Sequence, residues 1–122
     1  MKKIEAIIKP FKLEEVMDAL EQTGVEGMTV LEVRGCGREC GQYDALPGAK
    51  GSSDYLPKLK LEIVVADEDL DEVLTAIVRS ARTGRLGDGK IFVSDVEQAV
   101  RIRTSETGET AIKVGSELST QS

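Results

Sequence analysis

The chain has 122 residues, a hydrophobic content of 40% and a formal net charge of −6 at neutral pH. This length suits one domain, and because aromatic residues make up only 3% of the chain, its core should be aliphatic. The acidic balance argues against nucleic-acid binding. No apolar run is long enough for direct membrane insertion, and the N-terminal residues resemble a strand rather than a signal sequence, so we expect a cytoplasmic protein.

The predicted elements form one unit that occurs twice. The segments KIEAII (3–8) and KLEIVV (60–65) have the composition of strands, and each precedes a segment with helical periodicity, LEEVMDAL from Leu13 and LDEVLTAI from Leu70. MTVLEV from Met28 and IFVSDV from Ile91 complete each half with a second strand. Two β-α-β halves with right-handed crossovers predict an α+β, ferredoxin-like fold, with a four-stranded antiparallel sheet and two helices on one face.

The ends of the helices and the far side of the sheet carry further signals. Asp69 and Glu72 resemble a capping box at the start of the second helix, and Gly24 is placed to end the first. The sheet face away from the helices should carry a mixture of charged and apolar side chains: Lys3, Glu5, Ile7, Lys60, Glu62 and Val64. Such a face suits either packing between subunits or exposure to solvent.

A polar, glycine-rich stretch from Gly35 to Pro57 joins the two halves, and a loop of this length is either functional or disordered. Cys36 and Cys40 lie at its start. They could bind a metal or form a disulfide, but the chain contains no histidine to complete a common zinc set, so we interpret them as small loop residues. The last residues, 113–122, are polar and are expected to form a flexible tail.

The segment TGRLGDGKIFV, from Thr83, satisfies the first seven positions of a P-loop. However, Ile91 replaces the Ser or Thr that would hold Mg²⁺, and a strand follows where a P-loop needs a helix. A Walker-type ATPase is therefore not predicted. Gly87 and Gly89 can adopt positive φ and direct amide groups towards an anion, with Lys90 adding charge; the alternative is an ordinary glycine turn.

Arg101 and Arg103 form a second basic group. At strand spacing they would point to the same side and could grip one phosphate chain, or they could be solvated charges on a sheet edge. No triad and no pair of catalytic carboxylates can be recognised, so we expect a protein that is not an enzyme.

Taken together, the segments KKIEAIIKPFKLEEV, GMTVLEVRGCGR, YLPKLKLEIVV, TGRLGDGKIFV and RIRTSETGETAI resemble the PII signal-transduction proteins. The resemblance covers residues 1–112. It implies a homotrimer in which ATP and ADP compete for clefts between neighbouring subunits. It also implies that a T-loop, 37–57, docks into a partner, either a transporter or a metabolic enzyme, and that 83–90 form a nucleotide-binding B-loop.

Matching positions imply the following site residues. Gly87, Asp88, Gly89 and Lys90 would cradle the phosphates, Arg101 and Arg103 of the adjoining subunit would close on them, and Arg38 would contact them at the base of the T-loop. Gly27, Met28 and Thr29 would meet the adenine, and Gly35, Gly37 and Val64 complete the nucleotide set. Lys58 would pair with a carboxylate of 2-oxoglutarate.

The chain also departs from the family pattern. Gly51 stands where many bacterial members carry a uridylylated tyrosine, and Ala49 stands where cyanobacterial members carry a phosphorylated serine. Glu39 replaces the glutamine that coordinates 2-oxoglutarate and the Mg²⁺ bound with ATP, which suggests a weak response to 2-oxoglutarate. Two other hypotheses remain open: a relative that senses another small anion such as bicarbonate, or redox state through Cys36 and Cys40, and a slow ATPase.

Overall fold

The computed structural model describes residues 1–25, 27–35 and 55–113. The elements follow the predicted order. They are β1 (Lys2–Ile8), α1 (Leu13–Gln22), β2 (Thr29–Gly35), β3 (Leu56–Val65), α2 (Leu70–Ala81), β4 (Ile91–Asp95) and a short α3 (Glu109–Ile112). β3 begins at Leu56 and so takes up the last two residues of the predicted T-loop. None of the helices in the described ranges is long and apolar enough to cross a bilayer.

The four strands form one sheet in the order β2-β3-β1-β4, and every neighbouring pair is antiparallel. β1 and β3 lie in the centre, while β2 and β4 form the edges. This order, with one helix crossing over in each half, confirms the predicted ferredoxin-like fold.

The core lies between the sheet and the two long helices. Alternate residues of the central strands are buried against α1 and α2, as expected for a sheet that is covered on one face. The fully buried large side chains are all aliphatic: Ile4, Ile8, Leu61, Ile63, Ile77, Val16 and Val73. This confirms the aliphatic core, in which each such side chain contributes about 1.5–3 kcal/mol through burial.

The two predicted helix ends have different outcomes. Gly24 follows α1 with φ +88°, and its amide donates to the Glu21 carbonyl at 3.2 Å, which confirms the predicted stop. The capping box at Asp69 is wrong, because Asp69 has helical backbone angles and its side chain makes no capping hydrogen bond. A 3₁₀ turn over Asp67–Asp69 leads directly into α2, so the extended residue before the helical segment is Ala66, not Asp69.

The open face of the sheet carries the predicted mixture of residues, and its charges are paired. Lys60 Nζ lies 2.7 Å from Glu5 Oε2 and 3.4 Å from Glu62 Oε2, and Lys3 Nζ lies 3.5 Å from Glu62 Oε2. The hydrogen bond with Lys60 lowers the pKa of Glu5, and the same bond raises the pKa of Lys60. The two lysines and two glutamates of these half-buried ion pairs therefore largely neutralise one another at the centre of this face.

Candidate functional site

The glycine loop, residues 83–90, connects α2 to β4 at the end of the sheet where β1 finishes. Gly87 and Gly89 have φ values of +92° and +89°, a region that residues with a Cβ rarely adopt. The conformation expected of these two glycines is therefore confirmed. The loop leads into β4, which starts at Ile91. A strand therefore follows the loop, as predicted, where a P-loop would need a helix.

The carboxylate of Asp88 holds the glycine loop together. Its Oδ2 accepts the Thr83 amide at 2.9 Å and the Gly84 amide at 2.8 Å, and its Oδ1 accepts a short hydrogen bond from the Thr83 hydroxyl. Lys9 Nζ lies 3.4 Å from Oδ1 and donates to Thr83 Oγ1 at 3.1 Å. Burial by itself would raise the pKa of Asp88, but the hydrogen bonds from Thr83, Gly84 and Lys9 outweigh it and lower that pKa from 3.8 to about 2.

The other end of the glycine loop is fixed to the sheet. The Ile7 amide donates to the Lys90 carbonyl at 2.9 Å, and a Cβ added to Gly89 would lie 1.9 Å from the Ile7 carbonyl oxygen. Lys58, which is only 6% exposed, donates through Nζ to the Gly87 carbonyl at 2.8 Å. Gly35, at the end of β2, lies beside the Lys58 side chain. Lys58 thus connects the glycine loop to the strand that follows the T-loop.

A cleft of about 770 Å³ lies at the other end of the sheet. Five residues of the predicted nucleotide set line it: Gly27, Met28, Thr29, Val64 and Arg101. Its walls combine aliphatic side chains with polar ones such as Thr29 of β2 and Glu62 of β3, a composition common in sites for small organic ligands.

Arg101 and Arg103 lie in a turn, not in a strand. The Ser105 amide donates to the Arg101 carbonyl at 2.8 Å, and Val100 forms a bridge with Thr107. The prediction of strand spacing for this arginine pair is therefore wrong, because Arg101 begins a turn in which the chain reverses direction and Arg101 pairs with Glu106 through its backbone amide. A reversal within so few residues depends on Ser105, which has φ +64°.

The described members of the predicted site form two groups in one chain. At one end of the sheet are Gly35, Lys58, Gly87, Asp88, Gly89 and Lys90; at the other are Gly27, Met28, Thr29, Val64 and Arg101, with Arg103 in the adjacent turn. Thr29 pairs with Glu62 and Gly35 with Leu56 at opposite ends of the β2–β3 ladder. At the usual rise of a strand these ends are roughly 20 Å apart.

Sequence reasoning missed three residues that organise these groups. Lys9 and Thr83 support Asp88, and no local pattern could show that Lys9 meets a loop so distant along the chain. Glu106 lies beside Arg101, with 3.5 Å between its Oε1 and Arg101 Nε. The sequence around Glu106 gave no sign of this contact, because it depends on the turn at Ser105, where a strand was expected.

Several predicted residues fall outside the described part of the chain. They are Cys36, Gly37, Arg38, Glu39, Cys40, Ala49 and Gly51, together with most of the T-loop and residues 114–122 of the tail. Within the ranges that the structure does describe, no group of three or more acidic, cysteine or histidine side chains is arranged to hold a metal ion.

Comparison with known proteins gives a consistent result. The family model for nitrogen regulatory protein P-II matches residues 1–106. Proteins named nitrogen regulatory protein P-II are 56% identical in Rhodobacter capsulatus and 57% identical in Rhizobium meliloti and in Pasteurella multocida. Each of these matches spans 112 residues, covering 92% of this chain and 100% of the relative. The chain therefore belongs to the nitrogen regulatory protein P-II family.

Proposed function

We propose that this chain forms a homotrimer that binds ATP and ADP in clefts between its subunits. In this proposal nucleotide occupancy controls a partner protein, either a transporter or a metabolic enzyme, through the T-loop, 37–57. The protein acts as a regulator and not as an enzyme. The 83–90 loop supplies the phosphate-binding half of each site. The cleft at the other end of the sheet supplies the half that holds the adenine.

The observation that carries the proposal is the position of these halves at opposite ends of one sheet. A single chain does not bring them together, but a head-to-tail contact places the glycine loop of one copy against the cleft of the next, and such contacts close into rings. Ile102, in the turn between the two arginines, is 98% exposed. An apolar side chain at this position is well placed to be covered by a neighbouring copy.

The glycine loop suits phosphate because two of its residues already hold the backbone conformation that anion-binding turns use. Gly87 and Gly89 hold positive φ, and successive amides in such a turn form a concave anion site. Asp88 directs its carboxylate into the loop, towards Lys9 and Thr83, which reduces its repulsion of a bound phosphate. Lys90 then adds a positive charge next to the site.

A link between this site and the T-loop follows from Lys58. Its ammonium group donates to the Gly87 carbonyl, while its backbone lies near the start of β3, directly after the T-loop. A ligand that shifts the glycine loop therefore acts on a residue near the root of the T-loop. Through this hydrogen bond, nucleotide binding can change the conformation of the T-loop, which is the proposed partner-binding segment.

Isothermal titration calorimetry tests nucleotide binding. We expect the parent to bind ATP and ADP, and Lys90→Ala or Arg103→Ala to weaken ATP binding by at least about tenfold, because a charge-assisted phosphate contact contributes about 1.5–3 kcal/mol. Arg79→Ala, which removes an exposed arginine from α2, is the matched control and should bind like the parent. Parent-like binding by both site variants would contradict the assignment.

The response to 2-oxoglutarate should be weak because of Glu39. At the position of the family's glutamine, this carboxylate would lie beside a dianionic ligand, and repulsion between unit charges about 4 Å apart is roughly 4 kcal/mol at an effective dielectric constant near 20. Even if Mg²⁺ offsets most of it, a loss of about tenfold in affinity remains. A 2-oxoglutarate titration in the presence of Mg-ATP should show a clear gain for Glu39→Gln. Tight binding by the parent would refute this expectation.

A further inference from the structure

The guanidinium group of Arg101 is bound to the C-terminal segment, residues 109–113. Its Nη2 donates to the Thr110 carbonyl at 3.3 Å and to the Lys113 carbonyl at 3.0 Å. These contacts lie at the end of α3, whose residues Ala111 and Ile112 line the cleft together with Lys113. Arg101 therefore holds one wall of the cleft in place.

The geometry of a guanidinium group limits how Arg101 can bind anything else. A bidentate grip on a phosphate uses two parallel N–H groups, either Nε with Nη2 or Nη1 with Nη2. Both edges include Nη2, and each uses a different one of its two hydrogens. In this structure Nη2 already donates to two carbonyls of the C-terminal segment, and two hydrogens are all that it has. Either grip must therefore break one of the two bonds to Thr110 and Lys113.

Glu106 favours the arrangement seen here. Its carboxylate accepts the Thr104 hydroxyl at 2.8 Å and lies beside Arg101 Nε, and its backbone carbonyl accepts the Arg101 amide at 2.8 Å. Glu106 and Arg101 each have side chains only 19% exposed. A phosphate approaching through the Nε edge would meet this carboxylate, so the nearby negative charge favours capture through Nη1 and Nη2.

We propose that capture of a nucleotide phosphate by Arg101 breaks one of its two bonds to the C-terminal segment and so loosens this segment, which then detaches more readily from the wall of the cleft. This inference rests on the proposed function, since it assumes that Arg101 binds phosphate, and it adds a consequence of that binding. The conformation of residues 109–113 then depends on nucleotide binding, at the end of the sheet far from the glycine loop of the same chain. The chain would thus have a second nucleotide-dependent element besides its T-loop.

Limited digestion of the intact trimer with trypsin tests the release, because cleavage after Lys113 needs this segment to detach and extend. The formation of the 1–113 fragment is followed by intact mass, with and without saturating ATP. We expect ATP to accelerate this cleavage by at least about tenfold, which is the effect of losing about 1.4 kcal/mol of contact energy. Arg101→Gln, which lacks the anchoring group, should be cleaved at the accelerated rate without ATP. The matched control Arg79→Gln should behave like the parent.

Calorimetry on the same samples separates the possible results. If ATP binds and cleavage after Lys113 is unchanged or slower, Arg101 keeps both carbonyl contacts, and the release is refuted while the nucleotide site stands. If ATP does not bind, the proposed function and the release both fail. The rate of cleavage after Lys113 in the parent, with and without ATP, tests the proposal even if Arg101→Gln does not fold.

Discussion

The carboxylate of Asp88 faces into the glycine loop, where it accepts hydrogen bonds from the backbone of Thr83 and Gly84 and lies close to Lys9. Sequence resemblance grouped Asp88 with Gly87, Gly89 and Lys90 as residues that cradle phosphate. The geometry supports a different contribution for its side chain, since it shapes the loop whose amides would do the binding. The side chain of Asp88 can therefore belong to a predicted anion site, because it supports the loop and does not contact the anion.

The first prediction at this scale concerns the pH dependence of stability. Because the folded pKa of Asp88 is lowered from 3.8 to about 2, its charged form stabilises the fold above about pH 4, and this contribution disappears as pH falls towards 2. Asp88→Asn should lower the free energy of unfolding by about 1 kcal/mol at pH 7, after allowance for partial exposure.

Urea denaturation of the parent and of Asp88→Asn at a series of pH values checks this prediction. The difference between the two proteins should stay constant from pH 7 to about pH 4 and shrink below it. Asp18→Asn, on the exposed side of α1, is the control for a general effect of charge. A difference that does not depend on pH would mean that ionisation of Asp88 does not stabilise the loop.

The second prediction compares two glycines of the same loop. Gly84 and Gly89 have similar positive φ values, +83° and +89°, but a Cβ on Gly84 would meet nothing within 4 Å, whereas one on Gly89 would lie 1.9 Å from the Ile7 carbonyl oxygen. Gly84→Ala should therefore cost only the backbone strain, about 1–2 kcal/mol. Gly89→Ala should cost about 3 kcal/mol or more, because β1 or the loop must also move.

Denaturation midpoints at equal protein concentration give both values. Equal losses for the two variants would show that the loop is not packed against β1 as closely as the structure has it. A larger loss for Gly89→Ala together with weaker ATP binding would connect this packing to the site.

At the scale of elements, much of the fold could be predicted because its signals are local. Apolar residues recur at strand and helix spacing in both halves, so the order of β1, α1, β2, β3, α2 and β4 follows from the sequence. The capping box at Asp69 failed because a 3₁₀ turn starts the helical segment earlier. The strand expected around Arg101 failed because the positive φ of Ser105 and the bridge of Val100 to Thr107 reverse the chain.

The candidate site was less predictable, because it depends on contacts between distant parts of the chain. Glycine-rich composition and a lysine identified the glycine loop, but Lys9 reaches this loop across most of the chain. The wall formed by α3 is held by backbone carbonyls that accept from Arg101, and backbone carbonyls carry no sequence signal. Local patterns therefore locate the groups of the site, and only the folded chain shows what holds them.

In the whole molecule, two groups of candidate site residues are separated by the length of the sheet. The glycine loop and Lys58 lie at one end, and the cleft with Arg101 lies at the other. In the proposed function, each chain carries both halves of a nucleotide site but cannot assemble them alone. In a ring of three copies each interface would combine the loop of one subunit with the cleft of the next.

Mixed oligomers test whether two copies share each site. Lys90→Ala damages only the loop half and Arg103→Ala only the cleft half, so neither variant alone contains an intact interface. When the two are refolded together in equal amounts, random assembly places an intact loop against an intact cleft at about a quarter of the interfaces. The account predicts that calorimetry of the mixture recovers sites with the ATP affinity of the parent, at about a quarter of its stoichiometry. A mixture that binds no better than the two variants measured separately would contradict it.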